Sequence, residues 1–224
     1  MLTELSASIA HELNQPPAMF LTNAEAAQSL LTQERPDLAE IADILTDIAN
    51  ADRRAADVIR RLRALIQRGA PHREHLLLND AIHEVIGLLR NELDDQSVTI
   101  DLDLAPNLPA VRADRILIEQ ALLNLIINAC EAVAGNPASE RRVTLATSAD
   151  SDAVSAAVTD NGCGVADPER IFEALYSTKS TGLGMGLAIV RSIMSAHSGH
   201  AWAEPAPVGG TTLRLSLPSA DAEP

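Results

Sequence analysis

The residues best suited to chemistry fall in four short stretches of the chain. The first is His-Glu-Leu-Asn-Gln-Pro, which begins at His11 and Glu12 inside a long helical pattern. A neutral imidazole is a good nucleophile toward phosphorus near pH 7, and the adjacent carboxylate could orient the ring or accept its proton. A single histidine on a helix is more commonly a surface or interface residue, so this stretch alone leaves both interpretations open.

Two asparagines, Asn124 and Asn128, form the second stretch. They are four residues apart and therefore share one face of a helix that the sequence predicts from Asp114 to Val133. An amide oxygen is a hard ligand that suits Mg²⁺ beside phosphate groups. Two hydrogen-bonded polar side chains at the edge of a core would give the same pattern, so a structural role is the alternative.

The third stretch follows a predicted strand that ends at Val158, and it contains Asp160, Gly162 and Gly164. A carboxylate in this position can accept a hydrogen bond from an exocyclic amine such as that of adenine. The neighbouring glycines would let a planar base approach the backbone. An ordinary turn at the end of the strand is the alternative, because Asn-Gly is a common turn sequence.

Three alternate glycines, Gly182, Gly184 and Gly186, form the fourth stretch and precede an apolar helix. Glycines at such a junction leave backbone N–H groups free to meet anionic oxygens, aided by the helix N-terminus. The pattern differs from the dinucleotide fingerprint, which follows a strand, and from the Walker loop, which ends in Gly-Lys-Ser/Thr. Lys179 in the preceding loop could reach a phosphate or remain a solvated lysine.

The first part of the chain predicts two long helices joined by a short loop. The first covers about residues 2–31. The second carries apolar residues at alternating three- and four-residue spacing over residues 38–66, with Asp52 as the polar exception. A helical hairpin of this kind cannot bury its apolar seam alone, so we predict a homodimer with a four-helix bundle.

The pattern changes after residues 69–74, where Gly69-Ala70-Pro71 is typical of a hinge. Short strands and helices then alternate up to residue 218, and residues 219–224 form a polar tail. The predicted strands cover residues 76–78, 98–104, 143–147, 154–158, 200–203 and 211–217, and the predicted helices 80–93, 114–133 and 185–197. This order indicates an α+β sandwich over residues 75–218, with helices on one face of a sheet.

Composition excludes several classes of protein. The chain has 224 residues, of which 46% are hydrophobic, so it can fill one large or two modest cores. A formal net charge of −14 argues against nucleic acid as the main partner. The two cysteines, Cys130 and Cys163, cannot form a disulfide framework, which favours a reducing, cytoplasmic setting. No apolar run approaches the ~20 residues that a membrane helix needs, so we expect no membrane span.

Together and in this order, the four stretches resemble the sensor histidine kinases of two-component signalling, specifically their oxygen-sensor and nitrogen-regulator branch. The resemblance covers nearly the whole chain. It implies a dimerising phosphoacceptor hairpin over residues 1–68 and an ATP-binding domain of the GHKL or Bergerat type over residues 75–218, with ATP and Mg²⁺ as cofactors. It also implies a response-regulator receiver domain as partner, and a cytoplasmic location, either alone or as part of a larger sensor protein.

The resemblance also implies a role for individual residues. His11 is the phosphorylated residue, Glu12 is its acid–base partner, and Gln15 falls where related kinases help to dephosphorylate the receiver. Asn128 binds Mg²⁺, and Asp160 binds adenine. The other positions expected around the nucleotide are Asn124, Gly162, Gly164, Lys179, Gly182, Gly184, Gly186 and Thr211.

Two rival functions belong to other classes, namely an ATPase of the chaperone or gyrase type and a non-catalytic dimeric nucleotide-binding scaffold. The related ATPases place a water-activating glutamate where this chain has Asn124. An amide cannot act as a base, which favours transfer to the imidazole over hydrolysis. The intact glycines and asparagines argue against a scaffold. The chain departs from the family at Pro17, where a leucine is usual, and at residues 172–176, which lack a common Pro-Phe pair.

Overall fold

The computed structural model describes residues 22–33, 36–48, 72–174, 176, 184–207 and 209–220. The chain divides into two compact units, residues 1–68 and 69–224. In the first unit, residues 22–31 form helix α1 and residues 38–48 form helix α2. They flank the predicted loop, and the remainder of the two predicted helices lies outside the described residues.

Asp37 starts helix α2. Its Oδ1 accepts hydrogen bonds from the backbone N–H groups of Ala39 at 3.0 Å and Glu40 at 3.1 Å. This is a side-chain cap of the first helical turn. The sequence predicts a short loop before this helix, and the cap was not among the predictions.

Leucines of the predicted seam are uncovered within the single chain. Leu38 is 72% exposed and Leu45, seven residues later, is 55% exposed. Seven-residue spacing keeps both side chains on one stripe of α2, as in a helix that packs against other helices. This exposure supports the predicted dimer, which stays a prediction.

Within its described residues, the second unit contains seven strands in two sheets. In chain order they are β1 (Glu74–Leu76), β2 (Thr99–Asp103), β3 (Val111–Ala113), β4 (Arg142–Ala149), β5 (Ala153–Asp160), β6 (His200–Pro205) and β7 (Thr211–Pro218). The main sheet has the spatial order β2-β4-β5-β7-β6, and β1 pairs with β3 in a small antiparallel sheet. Within the main sheet, β2 and β4 are parallel and the other neighbours are antiparallel.

The described part of this unit also contains three α-helices: α3 (Leu78–Asp95), α4 (Arg115–Val133) and α5 (Gly186–Ala196). Helix α4 packs on β4 and β5, α5 packs on β6 and β7, and α3 packs on α4. The buried residues Leu213, Leu215 and Leu217 alternate along β7, so one face of this strand points into the core. The arrangement is the predicted sheet with helices on one face.

Helix α4 is the core helix of this unit. As predicted, Asp114 caps it, because Asp114 Oδ1 accepts a hydrogen bond from the N–H of Leu117 at 3.3 Å. The 19-residue helix is long and apolar enough to cross a membrane by length and composition, so the expectation that no apolar run approaches this length was wrong. Half of the helix is buried inside the unit, where its apolar residues form the core.

Some predicted boundaries were wrong as well. The strand predicted at residues 76–78 lies at Glu74–Leu76, because Leu78 already begins α3. Residues 72–74, assigned to the hinge, are part of the second unit. Ser219, assigned to the polar tail, is buried, and its N–H donates to the carbonyl of Asp152 at 2.9 Å. The polar tail was therefore predicted to begin too early in the sequence.

The opposite face of the sheet carries polar side chains. Arg214 alternates with the buried leucines of β7 and pairs with Trp202 across to β6. Glu204 accepts hydrogen bonds from the indole of Trp202 at 2.7 Å and from Arg214 Nε at 3.0 Å. These two bonds, that of Trp202 most, lower the pKa of the Glu204 carboxyl.

Candidate functional site

One face of α4 supports the site residues. Asn124, Asn128 and Ala132 are spaced four residues apart and therefore lie one above another along the helix. At a rise of about 1.5 Å per residue, the eight-residue separation between Asn124 and Ala132 corresponds to about 12 Å. The start of α5 meets the Asn124 part of this row, and the loop that follows β5 meets Ala132.

Asn124, Asn128 and Gly186 form one end of the site, hereafter the amide end. Asn124 is buried, and its Nδ2 donates to the carbonyl of Gly186, the first residue of α5, at 3.3 Å. Asn128 is half-buried, and its Nδ2 donates to the carbonyl of Asn124 at 2.8 Å. Because the helix holds its nitrogen, Asn128 offers its amide oxygen as a ligand.

The start of α5 adds backbone donors to the amide end. Gly184 has a φ of 63°, which glycine adopts without strain. Met185, the N-cap residue of α5, makes no side-chain hydrogen bond to the first turn. The first N–H groups of a helix have no partner within the helix, and together with the helix dipole they favour an anion.

Asp160, Gly162, Gly210 and Thr211 form the other end, hereafter the carboxylate end. Asp160 is only 3% exposed, and its Oδ1 accepts hydrogen bonds from the N–H groups of Gly162 at 2.8 Å and Thr211 at 3.2 Å. Asp160 ends β5 and Thr211 begins the neighbouring β7. Backbone donors from two segments therefore orient a buried carboxylate, as expected for hydrogen bonds to a charged acceptor.

Two glycines of the carboxylate end have no space for a side chain. A Cβ on Gly162 would lie 2.3 Å from the carbonyl oxygen of Ala132, and one on Gly210 would lie 2.1 Å from that of Asp160. Gly210 also has a φ of 89°, a conformation that favours glycine. The loop therefore packs directly against α4, and β7 starts directly against Asp160.

Asn161 fixes the same loop from behind. Its Nδ2 donates to the carbonyl of Glu140 at 2.7 Å, and its Oδ1 accepts from the N–H of Arg142 at 3.1 Å. The carbonyl of Asn161 accepts from Asn136 Nδ2 at 2.9 Å. Asn161 is thus a structural residue that holds Asp160 and Gly162 in place.

The contacts of Ala132, Asn136 and Gly210 were not predicted from the sequence. A signal for Gly210 was present in the Gly209-Gly210 pair directly before a predicted strand. Ala132 continues the four-residue spacing of the two asparagines, which could have placed it on the same face. Asn136 carried no local signal, because its partner is 25 residues away.

The side chains of the amide end could hold a metal ion only if a bound ligand supplied further oxygen atoms to that ion. Across the described residues, no group of three or more His, Cys, Asp or Glu side chains could hold a metal ion. An amide oxygen such as that of Asn128 fits Mg²⁺, which is commonly held by few protein ligands together with water and phosphate oxygens. The amide end therefore fits a metal ion that arrives with a phosphorylated ligand.

The two cysteines differ in reactivity because they differ in burial. Burial, and then the nearby Glu92 and Glu131, raise the pKa of the Cys130 thiol in α4 to about 12. Cys163 is exposed in the loop of the carboxylate end, with its Sγ 3.6 Å from the carbonyl of Gly164. Gly164 has a φ of 73°. Only Cys163 is placed to react with a reagent in solvent.

The structure brings together most of the predicted nucleotide-site positions, and the roles of these residues stay predictions. Those described are Asn124, Asn128, Asp160, Gly162, Gly164, Gly184, Gly186 and Thr211. Those outside the described residues are His11, Glu12, Gln15, Lys179 and Gly182.

Residues 113–221 match the family described as histidine kinase-, DNA gyrase B-, and HSP90-like ATPase. The chain is 34% identical over 219 residues to the sensor histidine kinase TmoS of Ectopseudomonas mendocina, covering 96% of this chain and 22% of TmoS. It is 37% identical over 221 residues to the sensor protein FixL of Bradyrhizobium diazoefficiens, covering 97% of this chain and 44% of FixL. The chain thus spans less than half the length of these relatives.

Among solved structures, the catalytic domain of the histidine kinase ThkA is similar, with a TM-score of 0.60 and 27% identity over 66% of this chain and 96% of that domain. ThkA in complex with the response regulator TrrA gives a TM-score of 0.68, covering 100% of this chain and 63% of ThkA. The identity there is 21%, which shows a shared fold alone.

Proposed function

We propose that this chain, which belongs to the sensor histidine kinase family and carries its ATP-binding domain, transfers the γ-phosphoryl group of ATP to His11. One observation carries the proposal. The amide end and the carboxylate end lie along one face of α4, within the range that the ATPase family model matches. The polar groups proposed to bind the base and those proposed to bind the phosphates are thus arranged along the same helix.

In the proposed complex, ATP lies along α4 with its adenine at the carboxylate end. Asp160 accepts a hydrogen bond from the adenine amine, and the phosphates reach the amide end. There the first N–H groups of α5 donate to phosphate oxygens. The Asn128 oxygen would hold Mg²⁺, which when bound neutralises charge on the phosphates. Gly182 and Lys179 are expected on the same phosphate side.

The proposed reaction is a displacement at the γ-phosphorus. A ring nitrogen of neutral His11 forms the new N–P bond, and the bond from phosphorus to the bridging oxygen breaks, so ADP leaves with the electron pair. The N–H proton of the ring passes to Glu12. Positioning of the reactants supplies much of the rate of such a step. The ATP-binding unit must therefore reach His11, with the hinge around residues 69–71 allowing the movement.

Asn124 favours a kinase over the rival ATPase. Its Nδ2 donates to the carbonyl of Gly186, so the amide helps to join α4 to α5. A hydrolase needs a base that activates water, and an amide cannot serve as one. A bound γ-phosphoryl group would therefore be transferred to the imidazole of His11 and not to water.

The second half of the proposal concerns the partner. The histidine kinase ThkA has been solved in complex with the response regulator TrrA. We infer that phosphorylated His11 passes its phosphoryl group to an aspartate of such a receiver domain, and that Gln15 assists its later removal. A homodimer built on the exposed leucines of α2 would present His11 to both reactions. We further propose that the chain forms the cytoplasmic kinase part of a longer sensor protein.

The test is autophosphorylation with γ-labelled ATP and Mg²⁺. The wild-type chain should acquire acid-labile label, and His11→Gln should lose all of it while its ATP affinity stays unchanged. Labelled protein offered to a panel of receiver domains should transfer to at least one. Acid-labile label retained in His11→Gln would refute the assignment, and steady phosphate release without labelling of His11 would favour an ATPase.

A further inference from the structure

The first described residues of the second unit are tied to the ends of two helices. The N–H of His72 donates to Asp114 Oδ2 at 3.0 Å, and Arg73 Nη2 donates to the carbonyl of Ala196 at 2.7 Å. Asp114 caps α4, and Ala196 is the last residue of α5. Within two residues, the chain is therefore fixed to the start of one helix and to the end of another.

His197 joins these two helix ends. It is only 2% exposed, and its Nε2 accepts a hydrogen bond from the N–H of Asp114 at 3.0 Å. Its Nδ1 lies 2.8 Å from the carbonyl of Ile193, an arrangement that places the proton of the neutral ring on Nδ1. Asp114 is thus hydrogen-bonded to His72, to His197 and to the first turn of α4.

This group lies away from the candidate nucleotide site. Helix α5 starts at Gly186 in the amide end and continues for 11 residues to Ala196, which is about 16 Å at the helical rise. On α4, Asp114 precedes Asn124 by ten residues, or about 15 Å. The group therefore touches no residue of either end of the site.

We propose that Arg73, Asp114 and His197 form a linker anchor that positions the ATP-binding unit for transfer to His11. This proposal rests on the proposed kinase function. The anchor fixes the point at which the connection from the first unit enters the second unit. None of the three residues touches the reacting groups, so they are positioning residues, and they act by setting the length and direction of the tether.

The length of the tether sets the size of the expected effect. Counted along the sequence from the end of the first unit at residue 68, three residues precede the anchored His72. Without the anchor, five residues precede the next fixed residue, Glu74, where β1 pairs with β3 and the Glu74 carboxylate forms an ion pair with Arg115 at 3.3 Å. Effective concentration falls roughly as the −3/2 power of tether length, so an increase from three to five residues lowers it about twofold. Loss of the fixed direction of the connection should lower this effective concentration further.

The test is Arg73→Ala in the complete chain. At saturating ATP, the first-order rate of labelling of His11 should fall about two- to fivefold, because the tether is longer and its direction is no longer fixed. The dissociation constant for ATP and the unfolding temperature should stay at wild-type values. Arg73→Lys keeps one donor for the Ala196 carbonyl and should restore most of the rate. Arg90→Ala, which removes an exposed arginine from α3, is the matched control and should change nothing.

Hydrogen exchange tests the anchor without reference to activity. The backbone amide of His72, which donates to Asp114 Oδ2, should exchange several times faster in Arg73→Ala than in the wild type, and unchanged exchange would overturn the anchor. Faster exchange with an unchanged labelling rate, or a loss confined to ATP affinity, would overturn the positioning role. A wild-type chain that binds ATP and never labels His11 would instead refute the kinase function, and the exchange result would still show whether the anchor exists.

Discussion

The two ends of the candidate site are built differently. At the carboxylate end, the Asp160 carboxylate is buried and held by two backbone N–H groups, and two glycines leave no room for even a methyl group. At the amide end, Asn128 is half-buried, and a Cβ on Gly186 would make only an ordinary contact at 3.6 Å. One end is closely packed, and the other has room to adjust.

This difference suits the proposed reaction. The adenine base is the same before and after phosphoryl transfer, so its binding groups gain from a fixed geometry. The phosphate chain loses its γ group in each cycle, so the groups around it must accept two different ligands. A rigid carboxylate end would hold the adenine base in one position. An adjustable amide end would accept the phosphate chain both before and after it loses the γ group.

The largest effect that follows from this comparison is on Gly210. Gly210→Ala should destabilise the second unit by about 3 kcal/mol or more, since the new methyl group collides with backbone and the backbone is in the left-handed region. Urea unfolding of the chain measures the change. Gly209→Ala is the matched control, because Gly209 has a φ of 92° and nothing within 4 Å of a Cβ. It should cost only about 1–2 kcal/mol, from backbone strain alone.

At the amide end, Gly186→Ala should change stability by less than about 1 kcal/mol in either direction, because the Cβ has space and alanine favours helix. Equal destabilisation by Gly186→Ala and Gly210→Ala would show that the two ends do not differ in packing. Equal losses in Gly209→Ala and Gly210→Ala would show that strain, and not the collision with Asp160, limits this position.

The next effect is on nucleotide affinity. Asn128→Ala should weaken binding of Mg²⁺-ATP about tenfold or more while leaving binding of metal-free ADP unchanged, since the lost oxygen is the proposed metal ligand. Calorimetric titration with and without Mg²⁺ separates the two. Asp160→Asn is the comparison variant, and it should weaken both nucleotides alike. Unchanged Mg²⁺ dependence in Asn128→Ala would rule out the metal role.

The smallest effect is on the thiol of Cys163. A thiol reagent at pH 8 should modify one cysteine per folded chain, because burial keeps Cys130 protonated, with a pKa of about 12, and out of reach. Metal-free ADP should slow the reaction of Cys163 about two- to threefold by covering the loop, a change well under 1 kcal/mol. The same protection should persist in Asn128→Ala. Equal reactivity of both cysteines, or no protection by ADP, would contradict the proposal that adenine binds at the carboxylate end.

Local patterns predicted the elements that carry the site. The cap at Asp114 and the apolar residues after it predicted α4, and the four-residue spacing placed Asn124 and Asn128 on one face. Period-two alternation predicted β2, and residues 143–147 and 154–158 were predicted as paired strands across an Asp-Ser-Asp turn, which corresponds to β4 and β5. The three-residue β3 escaped prediction because so short a strand gives no alternation to detect, and its pairing with β1 joins segments some 37 residues apart.

Contacts between distant parts of the chain could not be predicted in this way. The space that Gly210 leaves for Asp160 depends on two strand ends that are 50 residues apart in the sequence. Arg73 bonds to Ala196 across 123 residues, and nothing near Arg73 signals this partner. The hinge was therefore predicted too long, because glycine and proline mark where a chain can bend but not where it is tied down again.

The position of Trp202 gives this chain a built-in optical probe. It is the single tryptophan of the sequence, and it pairs with Arg214, on the side of the sheet away from α4. Its indole is bonded to Glu204 and has no part in either end of the site. Its fluorescence should therefore not change when nucleotide binds, and it should change when the sheet unfolds. The unfolding of this unit can thus be followed at any nucleotide concentration without an added dye.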